Sequence, residues 1–165
     1  MLHAQRAGKV HVALADSERR ADSDGSPSSS SGLGDLARSE FAARCDAIEE
    51  AYEFMLAYAA QGLPHEHGSP SGSQIREFLR TCERALDGLA DAAGRAVRQL
   101  HLEQPAPYDA FVGVLDHDAR NAMAAVRLVL AQPSIGSQLV DNLNASSHVR
   151  AVLTDVFLFD EALKR

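Results

Sequence analysis

Apolar residues spaced alternately four and three positions apart run through much of this chain, and this spacing restricts its fold more than any other feature. One run is Phe41, Cys45, Ile48, Tyr52, Met55 and Ala59, and a second is Ile75, Leu79, Cys82, Leu86, Leu89, Ala93, Val97 and Leu100. Residues so spaced share one face of an α-helix, whereas a half-buried strand needs alternation at every second residue. Aromatic residues make up 5% of the chain and Trp is absent, so the composition also favours an all-α fold.

Turn-forming residues place the first two helices in a hairpin. Asp35 is a plausible N-cap for the first helix, and Gly62 followed by Pro64 is a stop signal. Ser73 can cap a second helix that runs unbroken to about Leu100. The sequence therefore predicts an N-terminal helical hairpin within residues 35–104.

A second hairpin follows an interruption at Gln104-Pro105-Ala106-Pro107, where proline removes backbone donors and restricts its predecessors. A third helix is predicted from about Tyr108 to Ala131. A short turn then leads to a fourth helix from about Ser137 onward. The connection is short, so these two helices are expected to be antiparallel neighbours within residues 105–165.

Composition excludes several classes of partner. Residues 1–34 are polar and serine-rich and are predicted to be a disordered tail. The net charge is −7 without a basic stripe, so nucleic acid is not an expected partner. No apolar run approaches the ~20 residues that span a membrane, and no signal-peptide core is visible. Cys45 and Cys82 lack CxxC spacing and are predicted to be buried reduced thiols, which favours a cytoplasmic protein.

The segment Leu115–Val126 carries the residues of greatest chemical interest. The apolar stripe of the third helix lies about 200° around the helix axis from His117, and it consists of Phe111, Leu115, Ala119, Ala122, Val126 and Val129. His117 is therefore predicted to point to solvent, where another protein can reach its imidazole.

The neighbours of His117 suit phosphate chemistry. The carboxylate of Asp118 can hold or remove the proton of one ring nitrogen while the other is phosphorylated. Asn121 shares the face of His117, where an amide can orient a water for attack on a partner's acyl phosphate. Arg120 either neutralises phosphate charge or is an ordinary solvated residue. We take His117, Asp118 and Asn121 as candidate catalytic residues and Arg120 as a candidate phosphate or partner contact.

The run His117-Asp118-Ala119-Arg120-Asn121-Ala122-Met123 resembles the H-box of sensor histidine kinases. That motif commonly reads His, acidic residue, any residue, Arg, Thr or Asn, Pro and an apolar stretch. Residues Ser147–Asp160 resemble the second helix of the same dimerisation and histidine-phosphotransfer hairpin. The resemblance covers about residues 108–165.

The resemblance implies that the second hairpin pairs with its copy in a homodimer, forming a four-helix bundle with two His117 sites. The fourth helix also offers more apolar surface than one partner helix can cover, which favours the same dimer. The residues concerned are Val149, Val152, Leu153, Val156, Phe157, Phe159 and Leu163.

The chain departs from the kinase pattern in two ways. Ala122 stands where the family usually has proline. No ATP-binding domain or glycine-rich nucleotide loop is present, so we expect no autonomous kinase activity. The resemblance then implies a histidine phosphotransferase, or a phosphatase, acting in two-component signalling toward a response-regulator receiver domain, with any Mg²⁺ carried by that partner and no cofactor of its own.

Other functions fit the sequence as well. The chain can be a non-catalytic helical protein that binds a response regulator or a histidine kinase, or a fragment of a longer kinase. A metal-binding helical bundle is the third class. His65-Glu66-His67 lies in a Gly/Pro/Ser loop without a third ligand at helical spacing, and Glu49, Glu50 and Glu53 lack a histidine three residues later. Both groups are therefore interpreted as solvent-facing, and no metal ligand is assigned.

Overall fold

The computed structural model describes residues 29–164, in which all regular secondary structure is helical. The helices are α1 (Ser29–Ala59), α2 (Pro70–Leu86), α3 (Leu89–Gln99), α4 (Ala106–Leu130), α5 (Ser137–Ala145) and α6 (Ser147–Leu163). This confirms the predicted all-α class. Of the tail predicted for residues 1–34, residues 1–28 lie outside the described part of the chain. Among the described helices, none combines the length and the apolar character that a membrane span requires.

The six helices form one bundle of four rods, in which the second rod is α2 with α3 and the fourth is α5 with α6. Each rod packs against the next, and the fourth returns to α1. Contacts between α1 of the first rod and α6 of the fourth rod show that these two helices are antiparallel. Arg38 donates to the Leu163 carbonyl at 2.9 Å, and the ring centroids of Phe41 and Phe159 lie 5.5 Å apart. Helix α1 packs on α2 and α3, α4 packs on α6, and all the rods share one core.

Two predicted helices are interrupted in the structure. The second helix breaks at Asp87 and Gly88, and Gly88 has the left-handed backbone (φ 79°) that residues with a side chain rarely adopt. Arg44, on α1, donates to the carbonyls of Arg84, Ala85 and Asp87 there. A side chain from another helix thus satisfies carbonyls that the break leaves free. The predicted fourth helix is likewise divided, at Ser146.

The predicted helix starts also need correction. Helix α1 begins at Ser29, so residues 29–34 are helical and Asp35 lies inside the helix rather than at its N-cap. Helix α2 begins at Pro70, and the Ser69 side chain accepts a hydrogen bond from the Gly72 amide at 2.9 Å. Ser73 lies within the first turn. Proline is favoured at the first position of a helix, which accounts for the earlier start at Pro70.

The apolar surface of the fourth rod is covered within the chain. Six of the seven residues that motivated the homodimer are buried against α1, α4 and α5: Val149, Val152, Leu153, Val156, Phe159 and Leu163. Phe157 remains exposed. The sequence shows how much apolar area a helix carries but not which elements cover it. The homodimer remains a prediction, but the apolar surface of the fourth rod no longer supports it.

A buried ion pair joins the loops at one end of the bundle. Glu66 is buried, and its carboxylate accepts from Arg76 at 2.6 Å and from the Ile135 amide. Arg76 also donates to the carbonyls of Leu130 and Gln132, at 3.0 and 2.9 Å. Burial acts to raise the pKa of Glu66, but the hydrogen bonds from Arg76 and Ile135 outweigh it and hold this pKa below its ordinary value.

Glu66→Gln is expected to lower the free energy of unfolding by about 2 kcal/mol at pH 7, because the amide cannot balance the Arg76 charge. A lowered carboxyl pKa gives stability that is present above the ordinary value of 4.5 and is lost as the pH falls below it. The difference between the two proteins, measured by urea unfolding, should therefore shrink below pH 4.

Glu77→Gln is the matched control, because Glu77 pairs with Arg84 on the surface. It should change stability by less than about 0.5 kcal/mol. Equal losses in the two variants would contradict a special role for the Glu66 ion pair.

Candidate functional site

Helix α4 carries the predicted histidine site on its solvent side. Its buried residues are Leu115, Ala119, Ala122, Val126 and Val129. They face the second and fourth rods, since α4 packs on α2, α3, α5 and α6. His117 is exposed, as the periodicity predicts, near the middle of the longest helix of this hairpin. The site is therefore a convex helix surface and not a cleft.

The surface around His117 is formed by small side chains and is partly apolar. Gly113, one turn before His117, and Ala124, two turns after it, are both exposed. Small side chains at these positions let the backbone of another protein approach the imidazole closely. Val114 is 46% exposed three residues before His117, so an apolar side chain also lies beside the ring. Asn121 is half-buried on the same side of the helix.

Asp118 points toward α6 and meets a second carboxyl there. Burial, a hydrogen bond with the Asp118 carboxyl and repulsion from its charge raise the pKa of Asp155 to about 6. The Oδ2 atom of Asp155 is buried and has no hydrogen-bond partner. This oxygen stays unsatisfied when Asp155 is ionised, which adds to the cost of ionising it. The Asp155 carboxyl therefore keeps its proton to a higher pH than an ordinary aspartate does.

Asp155 is the residue of this site that the sequence interpretation missed. It occurs inside the segment that resembles the second kinase helix, but its position gave no indication of its partner. It follows the buried Val152 by three residues and precedes the buried Val156. An acidic residue at the edge of an apolar stripe was the one available signal.

Arg120 is turned away from this pair, on the α3 side of α4. It forms an ion pair with Asp116, with Arg120 Nε donating to Asp116 Oδ1 at 3.1 Å. Both side chains are largely exposed, so the pair contributes little to stability and an incoming anion can displace it. The structure thus brings His117, Asn121 and Asp118 to one region of α4 and leaves Arg120 at its edge.

The two groups considered for metal binding do not form a ligand set. Glu66 is committed to Arg76 and to the Ile135 amide, and the rings of His65 and His67 stand 6.0 Å apart. Within residues 29–164, no three His, Cys, Asp or Glu side chains are arranged to hold a metal ion.

No protein family, curated protein or solved structure matches this chain. Its function therefore has to be argued from its own residues.

Asp155→Asn is expected to stabilise the protein by about 1 kcal/mol at pH 8, because it removes the repulsion between the two carboxylates. The pKa of the Asp155 carboxyl is raised from 3.8 to about 6 in the folded state. The contribution of this group to the free energy of unfolding is therefore fully present below pH 3.8 and is lost as the pH rises through 6. The stabilisation, measured by urea unfolding, should therefore disappear toward pH 4.

Asp141→Asn, at an exposed position on α5, is the control and should have little effect at either pH. A gain for Asp155→Asn that is the same at pH 4 and pH 8 would contradict the raised pKa of Asp155.

Proposed function

We propose that this protein is a histidine phosphotransfer protein of two-component signalling, with His117 as the residue that carries the phosphoryl group. The observation behind this proposal is the exposed imidazole on the outer side of a helix whose opposite side is fully packed in the bundle. Such a histidine is fixed by its helix and still open to a second protein. Phosphoryl transfer between proteins needs both properties.

The reaction starts from an acyl phosphate on the aspartate of a receiver domain. A nitrogen of the His117 ring forms a bond to phosphorus while the bond from phosphorus to the aspartate oxygen breaks, and the carboxylate leaves with that electron pair. The other ring nitrogen loses its proton to Asp118, which has the role of general base. Mg²⁺ on the receiver domain neutralises the phosphate charge in this step.

Asn121 and Arg120 have secondary roles in this proposal. Asn121 lies one turn beyond His117 and orients a water when the phosphoryl group is hydrolysed. Arg120 exchanges its surface partner Asp116 for the phosphate. The small residues Gly113 and Ala124 admit the partner, and the exposed Val114 supplies an apolar contact next to the ring.

The alternative is a helical interaction protein that binds a receiver domain or a kinase without carrying phosphate. The exposed apolar residues near the site favour this interaction protein as much as the phosphotransfer protein, because both functions need a partner to dock there. The two functions differ only in whether His117 reacts.

His117→Gln is expected to abolish phosphorylation of the protein. Phosphoramidate is a suitable partner-free donor, since its P–N bond breaks with loss of ammonia as the bond from phosphorus to the imidazole forms. The same variant should lose transfer from receiver domains that acetyl phosphate has phosphorylated in the presence of Mg²⁺. Acid-labile phosphate on His117, located by mass spectrometry, is the measurement.

His148→Gln is the matched control, because His148 is also exposed on a helix, and it should leave phosphorylation unchanged. Phosphate on both histidines alike would indicate non-selective chemistry and overturn the proposal. Binding of a receiver domain without any phosphate on His117 would favour the interaction protein.

The role of Asp118 can be separated from its pairing with Asp155. Asp118→Asn should slow phosphorylation about a hundredfold, because it removes the base. Asp155→Asn breaks the same pair and keeps the carboxylate next to His117, so it should retain most of the rate. Equal losses in the two variants would show that the pair, rather than the base, is what matters.

A further inference from the structure

A cavity of about 700 Å³ lies at the end of the bundle opposite to the Glu66 ion pair. It is bounded by the start of α4, the last turns of α6 and the connection between α3 and α4. A volume of this size accommodates a small organic molecule and not a folded partner. It is separate from the face of α4 that carries His117.

Aromatic rings form the inner wall of the cavity. Phe111 and Phe159 are stacked with their ring centroids 5.7 Å apart, and Tyr108 meets Phe159 edge-on at 6.4 Å. The Tyr108 hydroxyl lies 3.4 Å from the Ala162 carbonyl. Leu158, at the rim, is 57% exposed although it borders this apolar space. Ring faces carry negative electrostatic potential and attract cations.

The formal charge in the lining of the cavity comes from one acidic side chain. Glu103 is the one carboxylate in its lining, and no Lys or Arg is among the described residues that line it. Helices α3 and α6 both end here, so their C-termini add negative partial charge. Helix α4 begins here and brings the opposite partial charge, which Asp109 in its first turn offsets.

The connection between α3 and α4, which lines part of the cavity, has an unusual backbone conformation. His101 has a positive φ of 47°, which is uncommon for a residue with a side chain. Its Nδ1 atom lies 3.0 Å from the Gln99 carbonyl. The left-handed turn follows the end of α3, and Leu102 and Glu103 after it line the cavity instead of extending the helix.

We propose that this cavity binds a small organic cation with an apolar or aromatic body, an amine or quaternary ammonium compound. The ring faces and the Glu103 carboxylate receive the cationic group, and the apolar side chains cover the body. This binding site does not depend on the phosphotransfer function of His117.

Three probes with one body and different head groups test this assignment: 2-phenylethylamine, 2-phenylethanol and phenylacetate. Dissociation constants come from titrations of the full chain followed by amide chemical shifts, which also locate the site. The amine should bind about five- to tenfold more tightly than the alcohol, and phenylacetate should bind most weakly. Equal binding of all three, no binding, or shifts confined to another part of the bundle would each overturn the proposal.

Two pairs of surface variants sharpen the test without altering the core. Glu103→Gln should reduce the preference for the amine over the alcohol to about twofold, whereas Asp141→Asn, an exposed carboxylate on α5 outside the lining, should keep it. Leu158→Arg should weaken the amine and strengthen phenylacetate, because it places a cation at the rim.

Phe157→Arg is the control for the second pair, since Phe157 is equally exposed but lies outside the lining. It should change neither affinity. The assignment is wrong if the members of either pair behave alike.

Discussion

The rotation of α4 about its own axis is the constraint on which the site depends. Its apolar stripe is covered by the second and fourth rods, and burial of five apolar side chains outweighs any contact that the polar faces make. Once the apolar stripe is buried, the direction of each polar side chain on α4 is fixed. His117 points to solvent, Asp118 toward α6, and Asp116 with Arg120 toward α3. The chemistry available to α4 is thus decided by its hydrophobic packing.

The two ends of the bundle are held together by different means. At one end, Glu66 and Arg76 join loops that would otherwise be separate, and the Tyr58 hydroxyl donates to the Ile135 carbonyl at 2.7 Å. At the other end, aromatic rings leave a cavity between them. Saturated hydrogen bonds and ion pairs resist rearrangement, whereas an open apolar space can accept a guest. The bundle therefore combines a closed end with an open one.

The periodicity of apolar residues predicted the features that depend on one helix alone. It did not predict the features that depend on contacts between two helices. The apolar stripes and the outward direction of His117 follow from the spacing of residues within α4. The breaks at Gly88 and Ser146 do not, because the first depends on Arg44 of α1 for its hydrogen bonds. The pairing of Asp118 with Asp155 depends on how far α6 slides along α4, a register that the connecting turn and α5 set together. The cavity depends on the path of residues 100–105, for which two prolines predicted only an interruption.

The first and last described helices meet at the same end of the bundle. Arg38, in the first half of α1, donates to the carbonyl of Leu163 at the end of α6, so the end of α6 lies beside the N-terminal half of α1. A short linker can then join α6 to α1 without disturbing any helix pairing, and new termini can open in the exposed loop near Gly68. The arrangement of the rods in the bundle therefore does not require that the chain begin with α1. Circular permutants of this protein should keep the fold.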